Sequence, residues 1–252
     1  MVEMGKKLKG VITAGGLGTR LRPMTRITNK HLLPVYDKPM IFYPIETLVQ
    51  AGIEEIMIIT GGNHAGDFLP MLGDGREFGL KQMHYTYQAR EGGIAEAISL
   101  TREFVGGDNV LVMLGDNIIE KNIVSFVDKF RQQGHGARIL LKEVEHPQQY
   151  GVPTLDENNK ITTITEKPQD PATRFAVTGI YMYDHRVFDI ISHLEPSKRG
   201  EFEITDVNNA YLESGELEYD ILDGWWADCG ETRSSLHEAG CLIAESGANN
   251  LK

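Results

Sequence analysis

The segment AGGLGTRLRP, Ala14–Pro23, sets three glycines and two arginines directly after an apolar, strand-like run. Gly15, Gly16 and Gly18 permit tight turning and let backbone N–H groups approach an anion closely. Arg20, next to Thr19, and Arg22 add charge on the same loop, and guanidinium forks match phosphate oxygens. Any α/β protein needs glycine-rich turns between strand and helix, so the glycines alone do not make a site. The Thr19-Arg20 pair placed on the loop is what points to a phosphate chain. Neither common phosphate cradle is present: GxxxxGK[ST] is absent, and GGLGTR does not fit GxGxxG. A different kind of anion loop is expected.

Four more segments carry groups that could serve it. Lys30, in NKHLLP, follows closely enough to return to the same phosphates, although a lone lysine is more often a solvated surface residue. Asp116 lies in LGDN, just past the apolar run VLVML, where open α/β sheets place their ligands. A carboxylate there suits Mg²⁺, a hard cation that takes one or two carboxylates together with phosphates; a turn Asp is the equal alternative. Glu166-Lys167, before Pro168, offers an acceptor for hydroxyls beside a cation for phosphate, or simply an exposed strand end. Asp228, in WWADCG, is a candidate second metal carboxylate, with a turn Asp the favoured reading without further context. At least one of Trp225 and Trp226 is expected in the core.

Positioning these groups falls to short apolar runs alternating with amphipathic ones. Strands are expected at 10–14, 55–60, 83–88, 110–114, 137–144 and 176–183, with helices at 40–51, 94–104 and 123–133. That rhythm predicts βαβ units around a mostly parallel sheet, with VLVML buried on both faces. After Tyr150 the turn signal DENNK, at 156–160, predicts a hairpin. Pro153 marks an edge strand or a strand start, and Thr205 in EITD reads as a helix N-cap. Helices at 187–194 and 205–214 and a strand at 217–222 follow, continuing the same sheet.

Composition narrows the partners. With 252 residues, 41% of them hydrophobic, the chain can bury a full core, and its length fits one domain with two lobes as well as two domains. A formal net charge of −11 with scattered Lys and Arg argues against nucleic acid. No run approaches the roughly 18 apolar residues of a membrane span, and the start MVEMGKKLKG lacks an apolar leader. Cys229 and Cys241 make neither a disulfide framework nor a zinc signature. A cytoplasmic protein with reduced thiols is expected.

In order and spacing, AGGLGTRLRP, NKHLLP, YDKPMI, LGDN, YGV, TEKP, AVTGIYMYD, RGEFEITD and WWADCG resemble the sugar-phosphate nucleotidyltransferase family. The likeness, to its short glucose-1-phosphate thymidylyltransferase branch, runs from Leu8 to Leu242. It implies a Rossmann-like, mixed but mostly parallel α/β sheet flanked by helices. The single domain would have a nucleotide half at about 8–135 and a sugar-phosphate half at about 136–252. It implies Mg²⁺-dependent transfer of a thymidylyl group from dTTP to glucose 1-phosphate, by a homo-oligomer (tetramer or dimer). On the nucleotide it places Ala14, Gly15, Gly16, Gly18, Thr19, Arg20, Lys30 and Asp116, with Gln88 and Gly93 at the base. On the hexose it places Asn117, Tyr150, Gly151, Glu166, Val177 and Trp226, with Lys167 and Arg199 on the sugar phosphate. Asp116 and Asp228 would hold the metal, and Arg20, Lys30 and Lys167 would carry the catalysis.

Several positions depart from the family pattern, notably Glu96 where Gln is common and Glu231-Thr232-Arg233 after the metal Asp. The chemistry implied needs no general base, because a sugar phosphate is largely ionised at neutral pH, its second pKa lying near about 6. The rival readings are the same reaction with UTP or another sugar phosphate, and a non-catalytic sugar-nucleotide sensor.

Overall fold

The computed structural model describes residues 6–250, so part of the charged start read above lies outside them. β1 (Leu8–Ala14) leads through the glycine loop to a small ribbon, β2 (Pro34–Val35) and β3 (Lys38–Pro39), and then α1 (Phe42–Gln50). Next come β4 (Glu55–Gly61), α2 (Phe68–Leu72), β5 (Gln82–Gln88), α3 (Ile94–Ser99), α4 (Arg102–Val105) and β6 (Asn109–Leu114). β7 (Asn117–Ile119) and α5 (Val124–Gln133) carry the chain to β8 (Ala137–Glu143). A hairpin of β9 (Gly151–Leu155) and β10 (Ile161–Glu166) precedes β11 (Phe175–Tyr183), α6 (Val187–Ser192) and α7 (Ile204–Glu213). The described chain closes with β12 (Leu217–Ile221), β13 (Trp226–Asp228) and α8 (Arg233–Ser246).

Seven strands form one sheet in the order β12-β8-β11-β6-β1-β4-β5, so strands from both ends of the chain share it. Only β11 runs against its neighbours; the other adjacent pairs are parallel. Both faces are covered, which is why the central strands are apolar throughout. Leu111 and Met113 of β6 join Ile12, Leu48, Val127 and Phe130 on one side. Val110 and Val112 join Val11, Ile98, Val207 and Tyr211 on the other. Truncating Leu111, which is fully buried, to Ala is expected to cost about 2–5 kcal/mol.

One buried carboxylate anchors the end of this sheet away from the glycine loop. Asp184, directly after β11, accepts from the backbone N–H of Gly136 at 2.8 Å and of Arg186 at 3.0 Å. It also accepts from the Arg186 guanidinium at 2.6 Å and the Tyr211 hydroxyl at 2.9 Å. Burial works against this charge, yet the hydrogen bonds hold its pKa below the ordinary carboxylate range.

Three local expectations change. The helix expected over 94–104 divides in two at Leu100-Thr101. There Ser99 and Thr101 turn their hydroxyls onto backbone carbonyls of Glu96 and Ile98, competing with the helical ladder. Thr205 is not an N-cap: α7 begins one residue earlier, behind Glu203, and the Thr205 hydroxyl donates to Glu166 instead, at 2.6 Å. Neither tryptophan is fully buried; Trp226 packs at the margin of one core and Trp225 against the small core under α8. Pro153 lies within β9, whose one ladder partner among the described residues is β10, the edge setting a residue without an N–H requires.

Candidate active site

The carboxyl ends of β1 and β6 bring the first groups together. Asn29 fastens the start of the glycine loop to the turn carrying Lys30: its Nδ2 donates to the Ala14 carbonyl at 3.3 Å, and its Oδ1 accepts from the His31 N–H at 2.9 Å. Gly18 takes a left-handed φ of 60°, which the tight turn demands of a residue without Cβ. Lys30 reaches back to Asp116, Nζ to Oδ2 at 2.5 Å. Burial disfavours the ammonium, but the Asp116 carboxylate more than offsets this and raises its pKa above the ordinary lysine value.

Asp228 reaches the same place by another route. β13 pairs with β7 antiparallel, Asp228 opposite Asn117, and the Cys229 N–H donates to the Asp116 carbonyl at 2.9 Å. Gly230 closes over the cluster: a Cβ there would lie 2.1 Å from Asp116 Oδ2 and 2.6 Å from Lys30 Nζ. A side chain there would push the Lys30 and Asp116 termini aside. Burial and the charge of Asp116 push the Asp228 pKa well up, while Lys30 holds that of Asp116 down, against burial. Two carboxylates thus crowd around one ammonium, and a further cation would relieve the crowding.

Asn117 orders the adjoining wall. Its Oδ1 accepts from Trp226 Nε1 at 2.7 Å and from the Gly179 N–H at 3.0 Å. Tyr150 meets the Trp226 ring edge-on at 5.1 Å. Lys167 sits at a left-handed φ of 43°, unusual for a side-chain-bearing residue, its N–H donating to the Tyr150 carbonyl at 3.0 Å. Such a conformation costs of order 1–2 kcal/mol and persists where its surroundings fix it. Among the described residues no carboxylate lies within ion-pair reach of the Lys167 ammonium. Arg199 is enclosed by acids, with Glu203 at 2.7 Å and Glu166 at 3.3 Å.

Two adjoining cavities, of about 260 and 180 Å³, meet across this cluster and share Asp116, Glu166 and Lys167. Gly15, Gly16, Lys30, Gln88, Gly93 and Arg199 line the larger. Asn117, Tyr150, Gly151, Val177, Trp226 and Asp228 line the smaller. Ala14, Gly18, Thr19 and Arg20 line neither. Arg20 is largely exposed and hydrogen-bonds Glu231, which lines the smaller cavity. His31 and Glu203 carry no site signal of their own in the sequence, and Thr205 carries only that of a helix cap. His31 is buried and borders the larger cavity; its position directly after Lys30 was the available signal. Burial and the Lys30 charge lower its pKa to about 3, so it stays neutral. After Glu231, Thr232 caps α8, accepting from the Ser235 N–H at 3.0 Å.

A covered, mostly parallel sheet with anion-handling groups at its strand ends, and with two cavities meeting over paired carboxylates, is the architecture of a group-transferring enzyme. The chain belongs to the nucleotidyl transferase family, which it matches over residues 9–246. It is 46% identical over 241 residues to a glucose-1-phosphate thymidylyltransferase of Neisseria meningitidis, covering 94% of this chain and 82% of that one. A Bacillus anthracis crystal structure, assigned as a glucose-1-phosphate thymidylyltransferase in complex with a sucrose, superposes with a TM-score of 0.90. The two are 47% identical, and the match covers 98% of each chain. A UDP-glucose pyrophosphorylase complexed with UDP-glucose superposes at 0.83 and 26% identity, over 96% of this chain and 99% of that one. Among the described residues no helix is long and apolar enough to cross a membrane.

Proposed function

We propose that this chain transfers a thymidylyl group from dTTP to glucose 1-phosphate, forming dTDP-glucose and pyrophosphate. The observation that carries the reading is that the two cavities adjoin and share Asp116, Glu166 and Lys167. The larger, walled by Gly15, Gly16, Gln88 and Gly93, takes the nucleotide; the smaller, walled by Tyr150, Val177 and Trp226, takes the hexose. This assigns residues 8–135 mainly to the nucleotide and 136–252 mainly to the sugar, although Arg199 and Glu203 also border the larger cavity.

A phosphate oxygen of the sugar phosphate attacks the α-phosphorus, a new P–O bond forms, and the bond to the β-phosphate oxygen breaks as pyrophosphate leaves. The nucleophile is already ionised, so the barrier is the approach of one anion to another. Lys167, unpaired where the cavities meet, holds the incoming phosphate, while Lys30 steadies charge on the triphosphate. Arg20 joins once it exchanges Glu231 for phosphate. Glu166, held by Thr205, accepts from sugar hydroxyls. Asp116 and Asp228, a buried and crowded carboxylate pair, fit a divalent cation, and we assign them to Mg²⁺. When bound, that ion supplies Lewis-acid neutralisation of phosphate charge. The same reading places the reaction in the cytoplasm and the chain in a homo-oligomer, which sedimentation of the purified protein tests.

The direct test is pyrophosphate release with Mg²⁺ and glucose 1-phosphate, comparing dTTP, UTP, CTP, ATP and GTP. Fastest turnover with dTTP is expected. Preference for UTP would keep the chemistry and change the substrate, and no turnover with any triphosphate would leave a sugar-nucleotide sensor.

A further inference from the structure

Gln88, the last residue of β5, turns its amide into the larger cavity beside the glycine loop. Its Nε2 donates to the Gly93 carbonyl at 3.1 Å and to Glu96 Oε2 at 2.9 Å. Neither partner can donate in return: a carbonyl carries no proton, and an ionised carboxylate only accepts. Against the cost of burial, the hydrogen bonds from Gln88 and Arg90 hold the Glu96 pKa below the ordinary glutamate value, so the carboxylate stays ionised. An amide set against two acceptors must present its NH₂ to them and its oxygen at the opposite end. That oxygen faces Gly15, where a Cβ would come within 3.2 Å of it.

Glu96 is itself held in place. Its second oxygen accepts from Arg90 Nε at 2.5 Å, and its side chain is only 16% exposed. Arg90, which is 72% exposed, grips from the solvent side. The chain of command therefore runs Arg90 to Glu96 to Gln88, and it ends with a pure acceptor aimed into the cavity.

We propose that Glu96, fixed by Arg90, is a positioning residue for base selection: it turns Gln88 Oε1 toward bases that carry a ring imide N–H. The inference rests on the nucleotide reading of this cavity and deepens it. Thymine and uracil carry such a proton at N3. Cytosine, of the same ring size, presents a lone pair there, which would face the Gln88 oxygen. The sharpest comparison is therefore dTTP against dCTP.

Glu96→Gln is nearly isosteric, yet it changes the logic of the contact. Arg90 keeps the new amide oxygen on its own side, so the new NH₂ faces Gln88. Gln88 then meets one donor, at position 96, and one acceptor, the Gly93 carbonyl, so its orientation is no longer fixed and its own NH₂ can enter the cavity, where it suits the cytosine lone pair. Adding Arg90→Ala to this variant frees the amide at position 96 to rotate back.

The experiment measures kcat/KM for pyrophosphate release with dTTP and with dCTP, at saturating glucose 1-phosphate, together with calorimetric affinities for both nucleotides. A hydrogen bond to a charged group is worth roughly a ten- to hundredfold change. The dTTP-to-dCTP ratio of the native chain should fall by about that factor in Glu96→Gln and recover in the double variant, with thermal midpoints unchanged. Calorimetry reads the same ratio even from a chain that releases no pyrophosphate, so failure of the proposed reaction is distinguished from failure of the inference. An unchanged ratio in Glu96→Gln, or equal loss for both nucleotides, would overturn it.

Discussion

Asp184 and Asp228 are both carboxylates set at strand ends of one fold, and they are treated in opposite ways. Asp184 is 2% exposed, and its two oxygens are met by two backbone N–H groups, a guanidinium and a hydroxyl. Asp228 has one weak bond, from the Gly230 N–H at 3.3 Å, and stands beside the like charge of Asp116. The first is pulled below its ordinary pKa and the second is pushed above it. Lying at a strand end, then, does not decide a buried acid's role. A fully partnered carboxylate holds elements together, whereas a crowded and under-partnered one suits a cation from outside, the role proposed for Asp228.

The comparison breaks most visibly through activity. Asp228→Asn should lower kcat by about 10²–10³, as removal of a transition-state charge partner does, without lowering the thermal midpoint. Loss of stability alongside the activity would place Asp228 in the same class as Asp184. Asp184→Asn should show the reverse pattern, with unfolding in denaturant easier by about 2–3 kcal/mol and kcat within a few-fold of native.

Acid provides the next test. The Asp184 pKa is depressed below its unfolded value of 3.8, so its stabilisation is fully present above that pH and is lost as pH falls through the folded value. Unfolding free energy measured from pH 5 downward should fall less steeply in Asp184→Asn than in the native chain. Parallel profiles would show that Asp184 does not carry this slope. The smallest effect concerns Arg20. Its pair with Glu231 is exposed, and such pairs are worth about 0.2–1 kcal/mol. Glu231→Gln should leave stability unchanged and lower KM for the triphosphate by at most about fivefold; a raised KM would mean that Glu231 assists binding.

Much of this was legible in advance, for physical reasons. A parallel strand covered on both faces is apolar at every position, so VLVML and its neighbours were placed within one or two residues. LGDN fell at the end of the central strand because that run stops there. What brings Asp228 to Asp116 was not legible: β7 and β13 have three residues each, too short to show a period. The turn reading of Asp228 gave way to a strand end for that reason. Thr205 looked like a cap because its residue type is common there, yet its hydroxyl serves Glu166, 39 positions away in the chain. The lock on Gln88 depends on which atom of an amide faces which acceptor, and only the folded chain brings those atoms together.

Nucleotidyl transfer is defined by which bonds change, and one labelling experiment reads them. Glucose 1-phosphate carrying oxygen-18 in the bridging oxygen at C1 is incubated with dTTP carrying oxygen-18 in its non-bridging α-phosphate oxygens, and the products are weighed by mass spectrometry. Nucleotidyl transfer predicts both labels together in dTDP-glucose, with unlabelled pyrophosphate released. Oxygen-18 in free phosphate, or an α-label left in unreacted nucleotide while sugar phosphate is consumed, would contradict it.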